Sequence, residues 1–168
     1  MGAPTAIVVR ATQVINATPE EILELVMDIE RYAEVDEKIR PVLWSTRDGD
    51  LTEFECRSKV GGVPGPKIIQ QMRRTPGRRI DIELAPAPRN RLARAMADFH
   101  ASFECVPVEG ATRVDRTLEF RLHRPTSWIL GPILRRRLPA QVEEELLLAK
   151  QRLETPPPEP GSAQHCSA

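Results

Sequence analysis

The chain has 168 residues, with 24 basic (Lys and Arg) and 24 acidic (Asp and Glu) side chains, and therefore no formal net charge. This length suits one domain that buries roughly two-thirds of its unfolded surface, enough for a core without disulfides or a metal. A chain without net charge has no overall field to attract nucleic acid or an anionic membrane, and no apolar run approaches the roughly 20 residues of a membrane span. We therefore expect neither a nucleic-acid partner nor stable membrane insertion.

The cysteines and the N-terminus indicate the compartment. Cys56, Cys105 and Cys166 lack the spacing of metal ligands, and small buried thiols are typical of a reducing environment. The first residues show no positive segment followed by an apolar core, as a secretory signal would. We therefore predict a cytoplasmic protein that holds no metal and no cofactor.

The first part of the chain predicts a strand followed by two short helices. Residues 6–15 are rich in β-branched side chains on both faces, which favours a well-buried strand. Thr18, Pro19 and Glu21 form a capping-box pattern, so a helix should begin at Pro19. Residues 28–32 predict a second short helix that follows it directly.

From Ile39 onward, apolar alternation and turn residues predict an antiparallel meander of six strands. These strands cover residues 39–46, 51–60, 67–75, 78–84, 97–107 and 112–122. Links rich in glycine and proline join most of them, as in hairpins. The longer link, residues 85–96, should form a loop or one helical turn at the mouth of whatever the sheet encloses.

Residues 126–153 predict a long C-terminal helix, with Thr126 as its N-cap. Its apolar positions recur every three or four residues and predict one buried face, formed by Leu130, Leu134, Leu138, Val142, Leu146, Ala149 and Leu153. Pro139 removes a backbone hydrogen bond, so we expect the helix to bend or break briefly there. Such a helix needs a large partner surface, and we expect the sheet to grip it.

The end of the chain differs in composition. Residues 155–168 contain several prolines and have no apolar periodicity, which is typical of segments that cannot offset their own ordering entropy. We therefore predict a short N-terminal extension at residues 1–5, one domain over residues 6–154, and a disordered proline-rich tail over residues 155–168.

Three local motifs and the order of the elements resemble a known superfamily. The motifs are Ala17-Thr18-Pro19-Glu20-Glu21-Ile22, the hairpin at residues 107–114, and Leu130-Gly131-Pro132. They resemble the START-like (SRPBCC) superfamily, particularly its bacterial polyketide cyclase and coenzyme-Q-binding-like branch, over residues 6–153. The resemblance implies an α+β helix-grip fold: a seven-stranded antiparallel curved sheet around a long C-terminal helix, with two short helices after the first strand. Its members range from lipid carriers to cyclases, so the fold alone fixes no activity.

The resemblance implies a cavity between the sheet and the last helix, and strand pairing predicts its walls. A three-residue loop around Pro76-Gly77 favours the pairs Met72–Ile80, Gln70–Ile82 and Ile68–Leu84, which keep apolar residues together. The inward positions of strands and helix give the candidate ligand-binding residues: Gln70, Met72, Ile82, Phe99, Phe103, Arg116, Leu118, Phe120, Leu134, Leu138 and Val142.

Arg116 is the charged residue on this inferred inner face. A guanidinium among apolar side chains is costly unless it is paired. Arg116 therefore either pairs with an acid among residues 143–145 of the helix or anchors the polar end of a ligand. The sequence leaves both alternatives open.

Two further motifs suggest chemistry that their context argues against. Asp98, His100 and Ser102 have the residue types of an acyl-transfer triad, but they alternate along one strand, on the face that we assign to solvent, without a nucleophile elbow. The segment 61–67 looks like a phosphate-binding loop, but its prolines remove amide donors and no helix follows. We predict a turn there.

Trp128 and Ile129 lie beside the arginine triplet at residues 135–137. Such a segment could contact a membrane transiently, as interfacial amphipathic helices do. Packing under the sheet is the more economical expectation.

These features support a hypothesis of noncovalent binding, as a carrier or by sequestration, of a small hydrophobic molecule such as a lipid, a polyketide or a quinone. One alternative is a polyketide aromatase/cyclase that catalyses aldol cyclisation and dehydration, with Arg116 and Gln70 as catalytic candidates that polarise a carbonyl. A second alternative is a non-enzymatic interaction protein whose cavity is filled by its own side chains. The expected partner is the hydrophobic ligand, and the expected state is a monomer or homodimer.

Overall fold

The chain forms a seven-stranded antiparallel sheet and a long C-terminal helix, which the computed structural model describes over residues 5–155. The strands are β1 (Thr5–Ile15), β2 (Val42–Asp48), β3 (Leu51–Val60), β4 (Val63–Thr75), β5 (Arg79–Leu84), β6 (Ala97–Val108) and β7 (Ala111–Leu122). The helices are α1 (Pro19–Met27), α2 (Ile29–Tyr32), α3 (Arg91–Met96) and α4 (Thr126–Glu154), with a 3-10 helix at Glu37–Ile39. The α+β helix-grip fold is confirmed. The predicted tail, apart from Thr155, lies outside the described residues.

The strand order in the sheet is β1-β7-β6-β5-β4-β3-β2. Every neighbouring pair except β1–β7 joins strands that follow each other in the chain, which is the predicted meander. Strand β1 closes the other edge by pairing with β7 along its whole length, from Thr5–Leu122 to Ile15–Thr112. Helix α4 lies against the inner face of β1 and β7.

Strand β1 is buried on one face only, contrary to the sequence expectation. Ile7, Val9 and Ile15 are buried under α4, whereas Val8 is 50% and Val14 47% exposed. The β-branched content correctly predicts the strand, but α4 covers a single face and nothing in the described chain covers the other.

The capping-box prediction is confirmed at the start of α1. The Thr18 hydroxyl accepts from the Glu21 amide at 3.2 Å, and the Glu21 carboxylate accepts from the Thr18 amide at 2.8 Å. Helix α2 follows directly, as expected. The next predicted strand begins three residues too early, because the Asp36 carboxylate accepts from the Lys38 amide at 2.9 Å and caps the 3-10 helix there.

Helix α4 runs through Pro132 and Pro139 without interruption, so of the two predicted alternatives at Pro139, a bend or a brief break, the break is absent. Both prolines are exposed, while the predicted stripe is buried at Leu134, Leu138, Val142, Leu146 and Ala149. Burial of the stripe outweighs the loss of two backbone hydrogen bonds, one at each proline. Thr126 is the first helical residue rather than the N-cap, and backbone carbonyls of His123 and Pro125 accept from the amides of the first turn. No helix within residues 5–155 has the length and apolar character to cross a membrane.

The register between β4 and β5 differs from the predicted one by two residues. Met72 lies opposite Ile82 and Gln70 opposite Leu84. Thr75 pairs with Arg79, so residues 76–78 stay outside the ladder, whereas the predicted pairs leave room for a single loop residue. Because side chains alternate with period two, the shift keeps every residue on its predicted face.

The buried stripe of α4 supplies a stability prediction. Replacing Leu138, which is 0% exposed, by Ala should lower the free energy of unfolding by about 2–5 kcal/mol, because it removes transfer energy and leaves a cavity. Urea denaturation would measure the change. The matched control on the same helix is Leu147→Ala, at a side chain 48% exposed, which should change stability by about 0.5 kcal/mol or less. Equal losses in the two variants would contradict the burial of this face.

Candidate functional site

A cavity of about 350 Å³ lies between the inner face of the sheet and the first half of α4. Along β7 its wall runs from Arg116 through Leu118 and Phe120 to Leu122. At the Leu122 end, Pro64, Pro125 and Ile129 line the cavity and are also exposed to solvent, so the opening lies there. Ala93 and Met96 bring α3 to the same end, which agrees with the predicted position of the 85–96 link at a mouth.

Most of the sequence-predicted site residues line this cavity: Gln70, Met72, Ile82, Phe99, Arg116, Leu118, Phe120 and Leu134. Phe103, Leu138 and Val142 are buried but lie outside its wall. The guanidinium of Arg116 covers the Phe103 ring, at 4.2 Å from the ring centroid, and the ring of Tyr32 meets its edge. Leu138 and Val142 belong to the next turns of α4, where the helix packs closely on the sheet.

Sequence reasoning missed several lining residues. Phe54 and Leu84 occupy the inward positions of β3 and β5, directly opposite Gln70 on the two neighbouring strands, and the alternation of those strands could have identified them. Tyr32 and Lys38 lie outside the strands, so no alternation of apolar residues could have identified them. Val63 to Pro66 were assigned to a loop, but β4 begins at Val63 and they form part of the wall.

A cluster of buried charges closes the inner end of the cavity. Glu145 on α4 accepts from Lys38 Nζ at 2.6 Å, from Arg116 Nε at 3.1 Å, and from the Tyr32 hydroxyl. Lys38 Nζ also lies 2.8 Å from Asp36 Oδ1. The structure therefore contains the ion pair proposed as one alternative for Arg116, and Glu145 is the partner. Arg116 also lines the cavity, and its buried Nη1 has no hydrogen-bond partner within residues 5–155.

The charged groups in this cluster stabilise one another's ionised forms. Burial alone would raise the pKa of Glu145, but the attraction of Arg116 and Lys38 outweighs it and lowers that pKa below the ordinary 4.5. Burial alone would lower the pKa of Lys38, but Asp36 and Glu145 raise it above 10.5. Burial and the charge of Glu145 raise the pKa of Tyr32 well above 10.0. The cluster thus holds two cations, two anions and a protonated phenol near neutral pH.

Gln70 is the polar residue in the middle of the apolar wall. Its side chain is 7% exposed and lines the cavity, and it makes no hydrogen bond with any residue that the structure describes. Gln71, on the opposite face of the same strand, donates to Glu53 at 2.8 Å.

The discounted triad is not assembled. His100 Nε2 lies 3.3 Å from Asp81 on the neighbouring strand, and Asp98 is exposed near His123. Ser102 is buried, unlike the solvent exposure expected for its face, because Asp81 and Thr117 flank it on the adjacent strands.

The predicted turn before β4 is confirmed at Gly61 and Gly62, which adopt positive φ angles of 62° and 78°. The tip of this hairpin is attached to α4. The Gly61 amide donates to the Gln141 side-chain oxygen at 2.9 Å, and Arg137 donates to the Gly61 carbonyl at 3.3 Å.

Trp128 and Ile129 project into solvent, with exposed fractions of 71% and 67%. The expectation that they pack under the sheet is wrong for Trp128, which lies beside the guanidinium of Arg124. Ile129 reaches the cavity opening but stays exposed. The apolar stripe of α4 is buried from Leu134 to Ala149, and Leu130 and Leu153 at its two ends are partly buried.

Comparison with known families agrees with this architecture. The family model described as polyketide cyclase/dehydrase and lipid transport matches residues 6–154. The chain belongs to this family. A comparison with curated proteins gave no match.

Solved structures share the fold of this polyketide cyclase/dehydrase and lipid transport family member at low sequence identity. A Thermus thermophilus protein gives a TM-score of 0.70 at 19% identity, covering 88% of this chain and 97% of that one. The Zhui aromatase/cyclase from a Streptomyces species gives a TM-score of 0.67 at 13% identity, covering 89% of this chain and 97% of that one. A START superfamily protein from Mycobacterium smegmatis gives a TM-score of 0.62 at 21% identity, covering 88% of this chain and 97% of that one. These likenesses show the fold and leave the activity open.

The buried cluster of this family member supplies a second stability prediction. Glu145→Gln should lower the free energy of unfolding by about 3–5 kcal/mol near neutral pH, because it leaves Lys38 and Arg116 buried with one anion between them. The neighbouring control Glu144→Gln changes an exposed side chain, and its free energy of unfolding should stay within about 0.5 kcal/mol of the wild-type value. Urea unfolding measures both variants.

The ionised carboxylate of Glu145 also predicts a pH dependence of the difference in unfolding free energy between the wild type and Glu145→Gln. The folded-state pKa of Glu145 lies below 4.5, so its stabilising contribution is complete above that pH and disappears as the pH falls through the folded-state pKa. The stability gap between wild type and Glu145→Gln should therefore narrow below pH 4.5. A gap that widens as the pH falls would show that Glu145 is not held ionised in the folded protein.

Proposed function

We propose that this protein binds a small hydrophobic molecule noncovalently, as a carrier or by sequestration, between the sheet and α4. The observation that carries the proposal is the open cavity of about 350 Å³, whose wall between Arg116 and the opening is almost entirely apolar. Apolar ligand surface that leaves water for such a wall contributes roughly 25 cal/mol per Å². Lipids, polyketides and quinones share an apolar body of this kind. The lipid-transport part of the family description supports the same function.

The alternative of an interaction protein with a filled cavity receives no support from this geometry. It requires inward side chains that fill the space beneath the sheet, and the structure leaves that space open. The inward aromatic rings of Phe99 and Phe120 contact each other along the wall, at 5.0 Å between centroids.

A polyketide aromatase/cyclase is the second candidate, because the family description names polyketide cyclases and dehydrases. General acid–base catalysis needs a group that exchanges its proton near the working pH. Tyr32, Lys38 and Glu145 are engaged with one another, and their pKa values are moved away from neutrality. Gln70 and Arg116 could polarise a carbonyl only by donating hydrogen bonds. Binding without turnover therefore fits the site better than catalysis.

The cavity proposal predicts the effect of filling the space. Leu118 is buried and lines the wall, so Leu118→Trp should weaken binding of an apolar probe such as 2-ethylnaphthalene at least about tenfold by occupying its volume. Thr117→Trp places the same ring on the outer face of β7 and should leave the affinity unchanged. Calorimetric titration measures affinity, and circular dichroism checks that both variants fold. Equal affinities in both variants and the wild type would place the probe outside this cavity.

The carrier and cyclase candidates predict different results with a reactive poly-β-ketone. A carrier should bind the chain and leave its rate of cyclisation in solution unchanged, because no described group is poised to move protons. Appearance of the aromatic product is followed by absorbance under single-turnover conditions. Faster cyclisation that falls much more than binding in Gln70→Met would favour the cyclase, since carbonyl polarisation acts chiefly in the transition state.

A further inference from the structure

The side chain of Gln70 is 7% exposed, lies at the middle of an apolar wall, and makes no hydrogen bond with another residue of 5–155. Its amide is not fully enclosed by protein and reaches the cavity space. A glutamine amide offers two donor hydrogens and an accepting oxygen, and buried polar side chains in folded proteins are nearly always hydrogen-bonded. Gln71, the next residue, has a partner in Glu53. Strand β4 therefore has polar partners on its outer face, and it is the Gln70 amide on the cavity face that lacks one.

The neighbours of Gln70 cannot satisfy this amide. Phe54 lies opposite on β3 and Leu84 opposite on β5. Ile68 and Met72 flank it on the same face of β4. All four side chains are apolar. A molecule in the cavity is thus the natural partner for the donor hydrogens and the oxygen of Gln70.

The charges that line the cavity determine the charge of that molecule. They are Asp36, Lys38 and Arg116 within the described wall. Lys38 is paired with Asp36 and Glu145, and Arg116 is paired with Glu145, while Arg116 Nη1 keeps one donor without a partner within residues 5–155. When Glu145, which contacts both cations from outside the wall, is counted with them, the cluster has two positive and two negative charges and no net charge to balance an ionised ligand. A carboxylate or ammonium group would enter this space unpaired, which is costly in an apolar environment.

We propose that the ligand is an uncharged molecule whose single carbonyl or hydroxyl group hydrogen-bonds to the side-chain amide of Gln70, with its apolar body along Phe54, Leu84, Phe99 and Phe120. This inference rests on the proposed function and narrows it to a ligand class. It selects neutral ketones, esters, alcohols and quinone-like molecules, and it excludes free fatty acids and other anionic lipids. The buried ion cluster then defines the inner end of the cavity.

Three probes with the same ring and similar size test the inference: 2-acetylnaphthalene, 2-ethylnaphthalene and 2-naphthoate, which is ionised at neutral pH. Calorimetric titration compares the wild type with Gln70→Met, which keeps the length of the side chain and removes the amide. Gln71→Met is the matched control on the opposite face of the same strand. Thermal unfolding of each variant confirms its folding.

The wild type should bind 2-acetylnaphthalene about tenfold more tightly than 2-ethylnaphthalene, the effect of one hydrogen bond formed in an apolar site. It should bind 2-naphthoate more weakly than either neutral probe. Gln70→Met should remove the advantage of the ketone and leave the affinity for 2-ethylnaphthalene unchanged, and Gln71→Met should behave as the wild type.

Each contrary outcome identifies the step that fails. If 2-naphthoate binds as tightly as the ketone, the inference of an uncharged ligand is wrong, while cavity binding stands. If ketone and hydrocarbon bind alike in the wild type, Gln70 is not the anchor. If 2-ethylnaphthalene does not bind at all, the proposed function itself fails.

The infrared carbonyl band of wild-type-bound 2-acetylnaphthalene gives a measurement that needs no variant. A hydrogen bond from Gln70 should lower its frequency relative to the ketone in an apolar solvent. An unshifted band would overturn the anchor even if Gln70→Met failed to fold.

Discussion

The buried carboxylate of Glu145 joins the long helix to three separate parts of the chain. Its partners are Tyr32 at the end of α2, Lys38 in the 3-10 helix and Arg116 on β7. An ionised carboxylate away from water is tolerated only when these donors surround it, so α4 is held in the one rotation that brings Glu145 to them. That same rotation turns Leu138 and Val142 toward the sheet. The contacts of Glu145 with Tyr32, Lys38 and Arg116, which we call the Glu145 clamp, thus fix how α4 packs on the sheet.

The position of this clamp along α4 explains where the cavity lies. Around Glu145 the helix packs closely through Val142, Leu146 and Ala149, and the pocket beside Glu145 has a volume of about 50 Å³. Toward its first residue the helix presents Leu130 and Leu134 to a wall that curves away. The β3–β4 hairpin bridges this gap through the backbone of Gly61, where an added Cβ would lie 3.0 Å from Leu134. One end of the fold is therefore filled and the other is hollow.

Local patterns in the sequence predicted much of this arrangement. The capping box at Thr18, the alternation of β7 and the stripe of α4 each specify one element and its buried face, and the structure confirms them. These patterns specify which face of an element is buried, but not whether a buried side chain borders the cavity or lies in the packed core. They therefore do not separate Phe103 and Leu138 from the residues that line the cavity. The burial of Lys38 depends on Asp36 and on Glu145, more than a hundred positions away, and no local signal reveals it. The exposure of Trp128 likewise depends on where the sheet ends beneath α4 rather than on the residues around it.

The pairing of β1 with β7 has a consequence for synthesis on the ribosome. Thr12 bonds to Asp115, 103 positions later in the chain, so β1 is made long before the strand with which it pairs. Until β7 and α4 have been made, Ile7, Val9 and Ile15 stay uncovered, and such distant pairing slows folding. The nascent polypeptide therefore has to be protected from self-association for most of its elongation. The cavity also needs residues of β7 and α4, so a ligand is acquired only after both elements have joined the sheet.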